Sequence, residues 1–238
     1  MKTTPRFAEL ILWEDSDFIA VNKPPFIATL EDRQSPVNLL ALAREYHAEA
    51  QACHRLDKDT SGVIIFARNP EAYRHLSIQF EKRQVKKIYH AVVDGQHEFS
   101  DVLVDAPIAK NDDGTVSIRK ADGKSAQTYF NTCEVFRMHT LLECRPVTGR
   151  MHQIRIHLTM LHAPITGDEL YGGKTFFLSS VKRGYNLKKQ DEEQPLMKRM
   201  ALHAKSLFFR DMHDKWITVE APYPKDFQAL VRQLSLNR

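Results

Sequence analysis

Cys53-His54-Arg55-Leu56-Asp57-Lys58-Asp59-Thr60-Ser61-Gly62-Val63 sets an imidazole, a guanidinium, two carboxylates and two hydroxyls within one short stretch. The apolar run Val63-Ile64-Ile65-Phe66-Ala67 follows directly and has the length of a buried strand. Ala50, Ala52 and Cys53 on the other side are small and apolar. A carboxylate beside such a strand is partly desolvated and needs a positive partner. Composition alone also admits a simple turn, because Asp, Thr, Ser and Gly are all turn formers.

Outward from this stretch the chain reads as mixed α and β. Glu9-Leu10-Ile11-Leu12-Trp13 and Phe18-Ile19-Ala20-Val21-Asn22 are strand-length apolar runs around the turn Glu14-Asp15-Ser16-Asp17. Lys23-Pro24-Pro25 ends the second run, since proline cannot donate to a ladder. Ser35-Pro36 predicts a helix N-cap and first residue, with the helix running through Glu49; Asn69-Pro70 predicts a second helix by the same chemistry. Between Lys86 and Val93, alternation places Lys87, Tyr89, Ala91 and Val93 on one face of a strand and Ile88, His90 and Val92 on the other. Residues 101–146 read as antiparallel β, with a tight turn at Asp112-Asp113-Gly114-Thr115 and strands over Gln127–Val135 and 140–144. Thr148 predicts the cap of a helix that begins near Arg150. Leu207-Phe208-Phe209 and Trp216-Ile217-Thr218-Val219 are the last strands. Pro222-Tyr223-Pro224 then introduces a final helix with Phe227, Leu230, Val231 and Leu234 on its buried face.

The 238 residues suit one large domain or two small ones, and 42% hydrophobic content supports a real core. Cys53, Cys133 and Cys144 are an odd number with no Cys-x-x-Cys, which argues against a disulfide framework or structural zinc and for a reducing compartment. His152, His157 and His162 recur every five residues, about 140° apart on a helix, so they do not converge on a metal. No run approaches membrane-spanning length and Met1-Lys2-Thr3-Thr4-Pro5 lacks an apolar signal core, so a soluble cytoplasmic protein is expected. The segment 174–199 holds seven basic and three acidic residues, a net +4 equal to that of the whole chain. Localised positive charge of this kind fits contact with nucleic-acid phosphates, and fits equally a solvated loop.

His54-Arg55-Leu56-Asp57-Lys58-Asp59-Thr60-Ser61-Gly62 resembles the His-Arg-Leu-Asp-x-x-Thr-Ser-Gly signature of the RluA-type pseudouridine synthases at all seven specified positions. Asn22-Lys23-Pro24 after a strand–turn–strand resembles that family's first motif, although Phe26 stands where the family commonly carries glycine. Lys87-Ile88-Tyr89-His90-Ala91 resembles the second, and Thr148-Gly149-Arg150-Met151-His152-Gln153-Ile154-Arg155 the third. Pro164-Ile165-Thr166-Gly167-Asp168-Glu169-Leu170-Tyr171-Gly172 and Ala201-Leu202-His203-Ala204 match later strings, so the likeness runs from about Leu10 to Leu234.

The resemblance implies an α+β pseudouridine synthase fold: a mainly antiparallel, bent mixed sheet flanked by helices, with a central catalytic cleft. It implies one catalytic domain over 1–238 with a basic insertion at 174–199. Only nine residues precede Leu10, so no small RNA-binding domain is expected ahead of it. By resemblance, Asp57 is the nucleophile, Arg155 its ion-pair partner, and Tyr89 the aromatic that stacks on the target base. Arg55, Lys23, Arg150, His152, Lys188 and Lys189 are the candidate RNA contacts. The implied reaction isomerises uridine in ribosomal or transfer RNA without metal or organic cofactor, in a monomer whose partner is structured RNA. Two other readings stay open at this point. Asp57 and Asp59 could be the paired carboxylates of a glycoside hydrolase, or the chain could bind RNA without catalysis.

Overall fold

The run after Gly62 becomes β4 (Ser61–Ala67), and each of its residues is buried. A strand reads as continuously apolar only when both its faces are covered, and here they are. The computed structural model describes residues 5–31, 37–182, 184–185 and 192–238. Its residues fall into two compact units: 1–88 with 203–222, and 89–202 with 223–238.

In the first unit, β1 (Ile11–Glu14) and β2 (Phe18–Lys23) form the predicted hairpin. The side chain of Asp15 accepts from the backbone N–H of Asp17 and Phe18 to close its turn. β2 pairs antiparallel with β4, and the short β3 (Gln51–Ala52) also pairs with β4. Between them lies α1 (Leu39–Tyr46). Its N-cap is Asn38, whose side chain accepts from Ala41 N–H, and it ends at Tyr46 rather than Glu49. The predicted cap Ser35 and Pro36 lie outside the described residues. After β4, α2 (Pro70–Glu81) starts as its sequence predicts, with Asn69 accepting from Ala72 N–H and Pro70 in the first turn.

One face of β4 packs Val63, Ile65 and Ala67 with Ala72 and Leu76 of α2. On the other, Phe66 meets Phe7 edge-on at 5.6 Å, and Phe7 in turn meets Tyr46 of α1. Burying a side chain of this size contributes roughly 1.5–3 kcal/mol, so the strand is anchored from both sides.

The chain enters the second unit along β5 (Lys86–Asp94). It continues through β6 (Val102–Asp105), the hairpin β7 (Ile108–Lys110) and β8 (Val116–Ile118), then β9 (Gln127–Val135) and β10 (His139–Pro146). β5, β10, β9 and β6 pair antiparallel in that order. The turn at Asp112–Thr115 is as read: Asp113 accepts from Thr115 N–H, and Gly114 takes the positive φ. α3 (Gln153–Met160) lays Ile154 and Leu158 on the sheet beside Phe130 and Cys144.

The chain returns to the first unit as β11 (Leu202–Arg210) and β12 (Trp216–Glu220), an antiparallel pair. β11 also runs parallel to β4, with Ala204 opposite Gly62. Finally α4 (Lys225–Leu236) packs Phe227, Leu230 and Leu234 into the second unit's core. The fold is thus mixed α+β with mainly antiparallel strands, as expected. No helix among the described residues is long and apolar enough to cross a membrane.

Candidate active site

Asp57 sits half-buried in the loop between β3 and β4, and that loop is locked on both sides of it. On the N-terminal side, the Thr29 hydroxyl donates to Leu56 O at 2.9 Å and accepts from Leu56 N–H at 3.1 Å. On the C-terminal side, Lys58 O accepts from Phe26 N–H at 2.9 Å and from the Lys23 ammonium at 2.9 Å. Thr60 N–H donates to Asp57 O and closes a turn. A carboxylate on so constrained a backbone pays little further entropy when it must act in one geometry.

This corrects the reading of Lys23 as an RNA contact. Lys23 is fully buried, and its ammonium donates to the carbonyls of Pro24, Ile27 and Lys58 at 3.0, 2.8 and 2.9 Å. Its place at the end of β2, pointing inward with apolar neighbours, puts it under the loop rather than toward solvent. Arg55 and Lys58, by contrast, are exposed.

His54 lies behind the loop. Its Nε2 accepts from Ile65 N–H at 3.2 Å, which requires a neutral ring at that atom. Burial, with the nearby Lys87 charge, lowers its pKa to about 3, so it stays neutral at physiological pH. The same burial lowers Lys87 to about 8. Ser61 and His203 meet across β4 and β11 at 2.9 Å. The His203 Nε2–H donates to Ala221 O, so its Nδ1 accepts from the serine hydroxyl.

In the second unit, Tyr89 lies on β5 opposite Cys144 of β10 and packs against the core. Arg155, on α3, is buried, and it is gripped by Asp168: Nε to Oδ2 at 2.6 Å and Nη2 to Oδ1 at 2.7 Å. Sequence reading gave Arg155 only Asp57 as its partner and gave Asp168 no role. A guanidinium carries five N–H donors, and this fork engages two of them. The Arg155 guanidinium also lies over the Tyr171 ring, 4.8 Å from its centre. The Tyr171 hydroxyl accepts from Val116 N–H and shares a hydrogen bond of 2.9 Å with His152 Nδ1. His152, expected to face RNA, is therefore half-buried and tied to Tyr171.

The start of α3 also departs from expectation. Thr148 does not cap a helix near Arg150. The helix begins at Gln153, after His152 in a left-handed conformation at φ 52°. Gln153 is the organiser that sequence reading missed. Its Oε1 accepts from the Thr148 hydroxyl at 2.7 Å and from Arg150 N–H at 3.0 Å. Its Nε2 donates to Gln127 O and to the Thr128 hydroxyl. Thr128 donates to His157 Nδ1, whose Nε2–H donates to Ala106 O. Burial lowers the His157 pKa, keeping the ring neutral for this role. A fully satisfied buried network of this kind fixes α3, and Arg155 with it, against β9. The sequence signal was the matched string Thr148-Gly149-Arg150-Met151-His152-Gln153, in which Gln153 is a specified position.

Arg150 is exposed, with Nε donating to Ser125 O. Lys188 and Lys189 lie outside the described residues. Arg199, counted in the basic segment, is buried and forms a two-point ion pair with Asp226 at 2.7 and 3.0 Å. It holds α4 rather than facing RNA. Burial works against the charged form of Asp226, yet Arg199 wins and its pKa is lowered.

A family model described as RNA pseudouridylate synthase matches residues 17–160. The ribosomal large subunit pseudouridine synthase C of Vibrio parahaemolyticus is 32% identical over 217 residues, covering 90% of this chain and 65% of that protein. An uncharacterized RNA pseudouridine synthase of Zymomonas mobilis is 35% identical over 234 residues, covering 95% of this chain and 99% of that one. Among solved structures, the human RNA pseudouridylate synthase domain containing 4 superposes with a TM-score of 0.72 at 24% identity, covering 96% of this chain and 94% of its own.

Proposed function

Because the chain belongs to the RNA pseudouridylate synthase family, we propose that it isomerises uridine to pseudouridine within RNA. Likeness to the Vibrio protein makes large-subunit ribosomal RNA the first substrate to assay and transfer RNA the second. In this reaction the N1–C1′ bond breaks, the uracil turns, and C5 bonds to C1′. N1 gains a proton and C5 loses one. Atoms balance without redox or hydrolysis, so the reaction asks for no metal or organic cofactor. We read the protein as a cytoplasmic monomer.

Asp57 is the carboxylate that acts on the nucleotide. The observation that carries this assignment is the double clamp on its loop, through Leu56 on one side and Lys58 on the other. Arg155, held by Asp168 through a two-point ion pair, supplies its counter-charge, as the family resemblance implies. Tyr89 offers a ring to the uracil. The target nucleotide leaves its stack, as it must for any enzyme that acts on a base. Arg55 and Arg150, both exposed, contact the backbone.

The test is pseudouridine mapping of unmodified large-subunit ribosomal RNA transcripts after incubation with purified protein. Specific uridines converted by the wild type and untouched by Asp57→Asn support the proposal. Conversion by both proteins overturns the role of Asp57. Conversion by neither, on ribosomal and transfer RNA alike, overturns the activity.

A further inference from the structure

Phe26 stands at φ 69°, in the left-handed region, and its side chain is 43% exposed. A bulky aromatic there is a backbone outlier, strained relative to a relaxed conformation. Glycine would take the same conformation at no steric cost. The surrounding contacts hold Phe26 there regardless. Its own N–H donates to Lys58 O, and the Lys23 ammonium binds the carbonyls of Pro24 and Ile27 on either side. So the fold keeps an apolar ring partly in water, at a position where glycine would be easier, on the loop hydrogen-bonded to the one that bears Asp57.

The chemistry around it is that of a single-strand RNA platform. Arg55 and Lys58, on the partner loop, are both exposed cations. A flat apolar ring on a loop whose backbone bonds that of the cationic Lys58 suits a base stacked on the ring with its phosphate nearby. A protein partner would be served as well by any aliphatic side chain. A base is served specifically by an aromatic one.

We propose that Phe26 is a positioning residue whose ring stacks on an unpaired base of the RNA next to the nucleotide handled at Asp57, with Lys58 taking an adjacent phosphate. This rests on the RNA-modifying function proposed above. The strained backbone then has a purpose, which is to aim the ring outward from a rigid loop.

The experiment compares wild type with Phe26→Gly, Phe26→Leu and Phe26→Trp, and separately Lys58→Ala. Binding to a transcribed large-subunit ribosomal RNA is measured by filter retention across a salt series. Single-turnover conversion is measured at saturating protein, and thermal melting is recorded for each variant. Gly and Leu should weaken binding about 5- to 100-fold, the factor that one base stack provides. Trp should bind like wild type. The salt slope should be unchanged in the Phe26 variants and reduced by about one ion in Lys58→Ala. Melting should be unchanged or higher in Phe26→Gly, because strain is relieved.

Gly or Leu binding as tightly as wild type overturns the proposal. So does equal loss in Leu and Trp accompanied by a lower melting temperature, which would mark a packing role. Wild type that binds but converts no uridine overturns the function reading, while the binding series still decides Phe26.

Discussion

The Lys23 ammonium donates to the Lys58 carbonyl at 2.9 Å, one residue beyond Asp57, and by the same three-point contact holds Pro24 O and Ile27 O. A lysine with no exposure and three carbonyl partners is a structural cross-link between two loops. Lys23→Met keeps most of the volume and removes the ammonium from three carbonyls, of which Lys58 O keeps the Phe26 N–H. It should lower stability by about 2–4 kcal/mol in urea unfolding. Because Lys23 contacts no phosphate in this arrangement, the salt slope of RNA binding should stay at its wild-type value. A slope reduced by one ion, with stability intact, would restore the surface-lysine reading.

The Arg155–Asp168 pair makes a different prediction, because both members are buried. Removing one partner strands the other charge, so Asp168→Leu should cost about 3–5 kcal/mol. The double replacement Asp168→Leu with Arg155→Met should recover much of that loss, since neither member of this pair is then left buried without the other. Activity should not return with it, because Arg155 is also the proposed partner of Asp57. Chemical unfolding and single-turnover rates on the three proteins check both halves. Recovery of activity in the double variant would reduce the pair to a structural element.

What could be read from the chain, and what could not, divides along the range of the interaction. The apolar run of β4, the Asn69-Pro70 start of α2 and the Asp113-Gly114 turn are set by neighbours in sequence, and each stands as read. The cap of α1 moved because Asn38 also competes for that role, and side-chain geometry decides between candidates. Arg155 was assigned to Asp57 by resemblance, and Asp168 stood in a matched string with no role. Only the fold brings Asp168 to 2.6 Å. Arg199 and Lys23 were read as surface charges since basic residues usually are. Their burial depends on Asp226 and on three backbone carbonyls far from any local pattern. The left-handed φ of Phe26 had one hint, the glycine that the resembled family commonly carries there, and that of His152 had no local pattern to mark it.

His54 gives a pH prediction. Its folded pKa is about 3, below the usual value of about 6.5, because the ring is buried and lies near the Lys87 charge. Between those two values the unfolded chain takes up a proton that the folded one refuses. Stability from this group is therefore complete above pH 6.5 and falls as pH drops toward 3, at about 1.4 kcal/mol per pH unit in the steep part. His54→Gln keeps an acceptor near the Nε2 position and cannot titrate. Urea unfolding at pH 7, 6 and 5 should show a shallower acid decline in the variant than in the wild type. Parallel declines would mean that His54 is protonated in the fold.

Gly62 tests the packing that carries the whole motif. Its φ is 116°, and a Cβ at that position would lie 2.1 Å from Ala204 O and 2.7 Å from Ala204 N. These atoms belong to the backbone of β11, which runs parallel to β4 at this point. No side-chain movement relieves the clash, so the strands must separate, and the adjacent Ser61–His203 hydrogen bond goes with them. Gly62→Ala should therefore cost about 3–5 kcal/mol, at the severe end for one methyl group, as both backbone strain and strand separation contribute. Thermal melting followed by circular dichroism gives the size of the loss. Adding Ala204→Gly should not restore it, because the obstructing atoms are main-chain and remain. Recovery in that double variant would show that the approach is set by the Ala204 side chain, and that the glycine serves only its positive φ.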